Sequence, residues 1–363
     1  MLSIDGSFGE AGGQIVRTAL ALSTISKTPF WVKDIRKNRS QPGLKPQHVT
    51  CVKVLEELCN AKPKMAFLGS TEMFYTPNKI VGKTIDVDIG TAGSITLLLQ
   101  SVLLPSLFAD KKTIFNIVGG TDVSHSPSFD FFNNVLLPHI KRFANVEVSL
   151  EKRGYYPKGH GSVQVKVNPF VHLSDFQNFE DFRKGLREKV KPISLLEQGE
   201  LVQVKGVSHA SLDLQDAQVA ERQAESAKVH LSGLGCPVQI RTEYQNTSST
   251  GSGITLWAQF SRSGFEYPLI IGSDKLGEKG VKSEVVGSGA AKQLVEEVNS
   301  GACVDKFLAD QIIPFIALVG GGIHSSRLSS HALTNVWTIE HFLGKVFEVD
   351  GVNNMVKVDY KNL

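Results

Sequence analysis

What this sequence lacks narrows it first. Its 363 residues hold four cysteines, Cys51, Cys59, Cys236 and Cys303, with no CxxC pair and no zinc-type spacing. A disulfide scaffold and a structural zinc module are therefore not expected. Reduced, partly buried thiols fit a cytoplasmic or nuclear protein. No charged-then-apolar leader precedes the first strand, so no signal peptide is expected. The most apolar helix, Ile95 to Ala109, is broken by Gln100 and Pro105 and is too short to span a bilayer, so no membrane contact is expected. Net charge is +3, too little to identify a nucleic-acid binder by bulk charge, so any basic site has to be local. The remainder, 41% apolar and 21% charged, is that of a soluble globular protein with ample core.

Glycine, in contrast, is concentrated at the start. A strand-like lead, Leu2 to Ile4, runs into Gly6, Gly9, Gly12 and Gly13, and a helical run follows from Ile15 to Ser26. Glu10 sits in the loop and Arg17 lies about one turn into the helix. Glycines allow close approach of the backbone to a ligand, and a helix N-terminus offers free N–H groups to an anion. The loop matches neither the dinucleotide fingerprint nor the Walker A pattern, and alone it reads as a tight turn. Strand, glycine turn and helix recur at Gly90 and Gly119, with a helix expected across Phe129 to Phe143. The reading is an α/β (α+β) fold of degenerate repeated units.

Residues 170–200 are polar and charged with no clear period and read as a boundary. Strand, amphipathic helix (Leu212 to Leu231), strand, hairpin loop and two more strands then follow to Gly272. These expectations divide the chain into a discontinuous main catalytic domain, 1–185 and 280–363, and an inserted small α/β domain, 186–279.

The candidate chemistry is spread widely. Arg36, Lys37, Arg39, Lys45 and His48 crowd thirteen residues that two prolines and a glycine stiffen, with Gln47 and His48 in the first turn of the next helix. Arginine forks match phosphate oxygens, and a stiff loop holds them at low entropic cost. Alone this is a solvated basic loop; beside Arg17 and the glycine loop it reads as a phosphate site. His331 begins a helix after a glycine-rich segment, where a neutral imidazole can attack phosphorus or simply cap and pack. Asp310 and Gln311 lie mid-helix, facing either solvent or a cleft. In Arg153-Gly-Tyr-Tyr-Pro-Lys-Gly-His-Gly161, Arg153 and Lys158 can meet phosphate while the tyrosines stack on bases, or the segment is a structural turn.

Taken together, these motifs resemble the RNA 3′-terminal phosphate cyclase family. The segments that carry the likeness are Glu10–Arg17, Ile35–His48, Gly90–Gln100, Gly119–Asp122, Arg153–Gly159, Leu308–Gln311 and His331–Asn335, in order along the chain. The resemblance implies a main domain of βαβαββ-like units similar to enolpyruvate transferases. It implies an ATP-dependent ligase that converts an RNA 3′-phosphate to a 2′,3′-cyclic phosphate through an adenylylated histidine and an RNA adenylate. By motif position His331 is the nucleophile and Asp310 the essential acid. Gln100, Pro127, Phe307, Asp310, Gln311 and His331 fall where ATP is bound, and Arg17, Arg36, Arg39, Gln47 and His48 where phosphate and RNA are held. Glu10 falls where a divalent metal, Mg or Mn, is bound. His160 stands where the family has glycine, and Phe307 where a tyrosine is common. The rival reading is a non-catalytic cyclase-like factor of ribosomal RNA maturation, a branch that loses the histidine and several arginines, all of which are present here. The repeated units allow a homodimer but fix no interface.

Overall fold

The computed structural model describes residues 1–10, 12–261, 267, 269–358 and 360. The chain builds one topological unit three times and a different one once.

The first unit is β1 (Leu2–Asp5), α1 (Gln14–Ser26), β2 (Phe30–Lys33), α2 (Pro46–Cys59), β3 (Lys62–Lys64) and β4 (Met73–Thr76). Its sheet runs β1-β2-β4-β3, with β1 parallel to β2 and the other pairs antiparallel. Side chains alternate as a half-buried strand requires: Phe30 and Val32 turn inward while Trp31 and Lys33 turn outward. Helix α1, rich in leucine and alanine, is buried at every position from Gln14 to Ile25 and packs against its own α2 and helices of both other units.

The second unit is β5 (Thr84–Asp88), α3 (Ile95–Ser106), β6 (Thr113–Gly119), α4 (Phe129–Phe131), α5 (Leu137–Ile140), β7 (Ala144–Lys152) and β8 (Gly161–Pro169). Its order, β5-β6-β8-β7, repeats the first. The single helix expected across Phe129 to Phe143 is instead α4 and α5 joined by a π turn at Phe132–Leu136. Pro138, just beyond it, has no N–H for the helical ladder.

Residues 170–200 hold a helix that their composition hid, α6 (Phe179–Lys189). Asn178 caps it by accepting from the Asp181 N–H, and it buries only Phe182, Arg183 and Leu186. β9 (Ile193–Leu195) follows and starts the third unit. That unit is then interrupted by β10 (Glu200–Ser211), α7 (Val219–Leu231), β11 (Val238–Gln245), β12 (Ser252–Ser261), β13 (Leu269–Leu276) and α8 (Ser283–Asn299), whose sheet has the distinct order β11-β10-β12-β13. It resumes with α9 (Lys306–Val319), β14 (Gly321–His324), α10 (Ser330–Leu343), β15 (Glu348–Asp350) and β16 (Met355–Val358). The order β9-β14-β16-β15 again repeats the first unit.

Strand pairing thus draws the limits differently from the sequence reading. β9 lies within 186–279 yet pairs with β14, while α8 lies beyond 279 yet packs on α7, β12 and β13. Gly119 ends the second strand of unit two and opens no unit of its own.

Arg153 is a cross-link in this architecture and has no surface to offer a phosphate. It is fully buried, with Nη1 3.0 Å from Asp122 Oδ2 and Nη2 2.6 Å from both Asp130 Oδ2 and Glu243 Oε1. Asp122 and Asp130 belong to unit two and Glu243 to the interrupting sheet, so the ion cluster joins the two. Tyr155 is buried as well, its hydroxyl 2.8 Å from His209 Nδ1 on β10. Lys158 and His160 reach the same neighbouring loop through Ser249 and Ser248.

Candidate active site

The glycine loop between β1 and α1 lies where three helices begin. A Cβ on Gly13 would fall 2.0 Å from His48 Nε2 and 3.1 Å from Arg17 Nη1, so only glycine fits between them. The same construction at Gly12 comes 3.7 Å from Arg39 Nη2 and 3.8 Å from His331 Cε1. The N-termini of α1, α2 and α10 therefore meet at residues 12–13, which brings the positive ends of three helix dipoles together.

Guanidiniums surround this point. Arg17 is buried, and its Nε donates to Gln100 Oε1 on α3 at 3.1 Å. No carboxylate pairs with it among the described residues. Burial, with Arg36 adding repulsion, lowers its pKa to about 10. Arg36 stands in the left-handed region (φ 56°), and its Nη1 donates to the carbonyls of Gln41 and Gly43. Its pKa is lowered by burial and by Arg39.

His48 is buried. Its Nδ1 accepts from the Lys45 N–H at 3.0 Å, which places the ring proton on Nε2, and Nε2 has no hydrogen-bond partner in the described residues. Burial, then Arg17, Arg36 and Lys45, push its pKa down to about 3, so the ring is neutral. Gln47 turns toward the second glycine turn, its Cβ 3.6 Å from a Cβ placed on Gly93.

One carboxylate faces this group. Glu10 Oε2 lies 3.5 Å from Arg39 Nη2 and 3.3 Å from His331 Nε2, while Oε1 accepts from the Ser330 hydroxyl. The Ser330 bond, more than the nearby cations, holds its pKa below the ordinary glutamate value. One residue earlier, Ser329 caps α10 and donates its hydroxyl to Asp310 Oδ1. Asn335 on α10 donates to the Asp310 carbonyl and accepts from Thr18 of α1, tying three helices together.

Asp310 and Gln311 face a cleft, which resolves that alternative. With Gln100, Thr18 and Asn335 they line one pocket that deepens into apolar walls such as Leu103 and Phe315. Burial, with Glu10 adding repulsion, pushes the Asp310 carboxyl up to about 7. Gln311 folds back on the Phe307 carbonyl at 2.9 Å. Phe307 is 36% exposed and sets its edge on Phe131 at 6.3 Å, and the Pro127 carbonyl accepts from Thr96 of α3.

The expected residues thus form two adjoining groups. Glu10, Arg17, Arg36, Arg39, His48 and His331 gather around residues 12–13, with Gln100 attached through Arg17. Asp310 and Gln311 line the pocket beside them, Phe307 lies in the first turn of α9, and Pro127 is tied to Thr96 of α3. Sequence reasoning missed Ser329, Ser330, Asn335 and Thr18 as partners. The one local signal was a serine pair directly before His331, at a helix start.

A family model described as RNA 3′-terminal phosphate cyclase matches residues 8–349. The chain belongs to the RNA 3′-terminal phosphate cyclase family. Curated members with that name include proteins of Pyrococcus abyssi and Pyrococcus furiosus, each 44% identical over 97% of this chain and 96% of their own length. One from Archaeoglobus fulgidus is 41% identical over 98% of this chain and 100% of its own length. The match spans the site loops and the interrupting unit alike, so cyclase-family membership covers the whole architecture. No helix among the described residues is long and apolar enough to cross a membrane.

Proposed function

We propose that this protein is an ATP-dependent RNA 3′-terminal phosphate cyclase. The observation that carries the reading is a concentration of donor groups: the buried guanidinium of Arg17, the half-buried one of Arg36, the exposed one of Arg39, an orphaned imidazole N–H and three helix N-termini surround one carboxylate, with His331 at the rim. Such a site is incomplete without an anion. Phosphoryl and nucleotidyl transfer need this charge neutralisation and positioning above all else.

In the proposed reaction, His331 Nε2 bonds to the α-phosphorus of ATP as the bond from that phosphorus to the bridging oxygen of pyrophosphate breaks. Nε2 lies 3.3 Å from Glu10 Oε2 in the resting arrangement, and attack requires that its lone pair carry no proton. An oxygen of the RNA 3′-phosphate then displaces the histidine nitrogen. The neighbouring 2′-hydroxyl finally attacks the 3′-phosphorus, releasing AMP and losing its proton to water. Arg17, Arg36, Arg39, Gln47 and His48 hold the phosphates. Gln100, Pro127, Phe307 and Gln311 line the nucleotide's place. Asp310, kept protonated by burial up to about pH 7, can donate a hydrogen bond.

A divalent ion fits this site as one that arrives with the triphosphate. Glu10 is a single accessible carboxylate, and magnesium is held by one or two carboxylates plus substrate phosphates. Such an ion would neutralise charge on the transferring phosphate. The one cluster of three metal-ligating side chains among the described residues, Asp122, Asp130 and His209, already holds Arg153.

Incubation with α-labelled ATP and a divalent ion is expected to label the protein through an acid-labile bond, and His331→Ala is expected to abolish the label. Full labelling of that variant refutes the nucleophile. An unlabelled parent protein favours the non-catalytic maturation-factor reading. RNA with a 2′-deoxy 3′-phosphate end should stop at the adenylate; equal turnover of both ends rules out cyclisation.

A further inference from the structure

We propose that the loop Met65–Leu68 is a binding surface for single-stranded RNA upstream of the terminal phosphate; this rests on the RNA substrate of the proposed function. Met65 is 40%, Phe67 60% and Leu68 64% exposed, three large apolar side chains within four residues. Phe67 stacks on no other ring among the described residues. A water-facing cluster of this kind calls for a partner.

The loop is fastened to the phosphate-binding segment by its backbone. The Gly69 N–H donates to the Leu44 carbonyl and the Leu44 N–H to the Ser70 carbonyl, each at 2.9 Å. The Ile35 N–H donates to the Thr71 carbonyl at 2.8 Å, and the Ser70 N–H closes a turn onto the Phe67 carbonyl. Gly43, whose carbonyl holds Arg36 Nη1, packs directly on Gly69. Phe67 and Leu68 are thus one turn of backbone from the carbonyl that positions a phosphate-binding arginine. On this proposal, the nucleotides that precede a terminal phosphate seated on that arginine run along this edge.

The charges select the occupant. Exposed Lys62 and Lys64 lead into the loop, Lys45 follows the Leu44 to which the loop is bonded, and no acidic residue occurs from Lys62 to Gly69. The nearest carboxylate along the chain, Glu72, is engaged by Trp31 Nε1 at 3.0 Å. An apolar tip with an unstacked aromatic ring, framed by lysines and continuous with an anion site, fits a polyanion that carries flat apolar bases.

The test compares substrates of two lengths. Phe67→Ala is expected to raise the KM for a 3′-phosphorylated RNA decamer about tenfold, the loss of one stacked base. The KM for a nucleoside 3′-phosphate, which has no upstream nucleotide, should not change, and Phe67→Trp should keep the parent values. An unchanged decamer KM, or an equal rise for both substrates, overturns the proposal. Anisotropy of a labelled 3′-phosphorylated decamer reads the same tenfold difference as Kd without catalysis. If the parent proves inactive, that measurement still decides the surface while the cyclase reading falls separately. If Phe67→Ala alters sedimentation of the RNA-free protein and leaves decamer binding intact, the loop serves a second copy of the chain and the RNA surface is refuted.

Discussion

Replacing Asp310 with asparagine tests the electrostatics of the pocket, and its sign follows from burial. The carboxyl is raised from 3.8 to about 7, chiefly by burial. Between those pH values the folded protein keeps a proton that the unfolded chain has released, so this group lowers stability as pH rises through the window and has no further effect above it. A rise of about 3 units corresponds to at most about 4 kcal/mol at about 1.36 kcal/mol per unit. Asp310 is half-buried, and solvent screening reduces this to about 2 kcal/mol. Asparagine can still accept from Ser329 and carries no charge to bury. Asp310→Asn is therefore expected to match the parent near pH 4.5 and to exceed it by about 2 kcal/mol at pH 8. With an unfolding entropy of about 2.1 cal/mol/K per residue, that is a Tm gain of about 3 °C for a chain this long. Asp305, also pushed up to about 7 by burial, follows the same trend but is common to both proteins and cancels. Thermal melts of both proteins across pH 4.5–8 measure the gap. A gap that stays constant over that range refutes the reading, because it means the Asp310 carboxyl does not change its proton affinity on folding.

Two further substitutions separate stability from activity. Arg17→Met removes a buried guanidinium that no carboxylate compensates, so it should raise stability by about 1–2 kcal/mol while weakening RNA 3′-phosphate binding at least tenfold; a loss of stability in urea melts contradicts the absence of a counter-charge. Arg153→Met leaves Asp122 and Asp130 buried without their cation and should lower stability by about 3–5 kcal/mol, with His331 and the Arg17, Arg36 and Arg39 group untouched; a change below about 1 kcal/mol in the same melts argues against the cross-link.

The legible features were local ones. The glycine loop, the basic loop at 36–48 and the helix start at His331 each combine a turn signal with a charged or nucleophilic residue inside one connection, and the structure brings all three to one point. The repeat was legible as strand, turn and helix, but its phase was not, because Gly119 carries the same signature as a unit start while ending a second strand. α6 stayed hidden because three buried side chains in a charged segment give only a faint helical period. Arg153 is the clearest limit. Its motif suits phosphate and a structural turn equally, and only the arrival of Glu243, ninety positions further along, decides between them. The partners of Glu10 and Asp310 are of the same kind, since the Ser330 contact spans 320 positions.

The threefold topology also explains why the site is lopsided. In unit one the link from first strand to first helix is the glycine loop that carries Glu10. In unit three the corresponding link, from β9 to α9, is occupied by the whole interrupting sheet with α7 and α8. Unit three therefore has no short loop to offer at the equivalent place, and it reaches residues 12–13 with its second helix instead, through Ser329, Ser330 and His331 at the N-terminus of α10. Unit one supplies the N-termini of both its helices, and unit two supports from behind, with Gln100 on Arg17 and Gly93 against Gln47. Three copies of one topology thus converge on a single centre without threefold symmetry. One copy supplies the cations, one His331 with its two neighbouring serines, and one the braces that keep Arg17 and Gln47 in place.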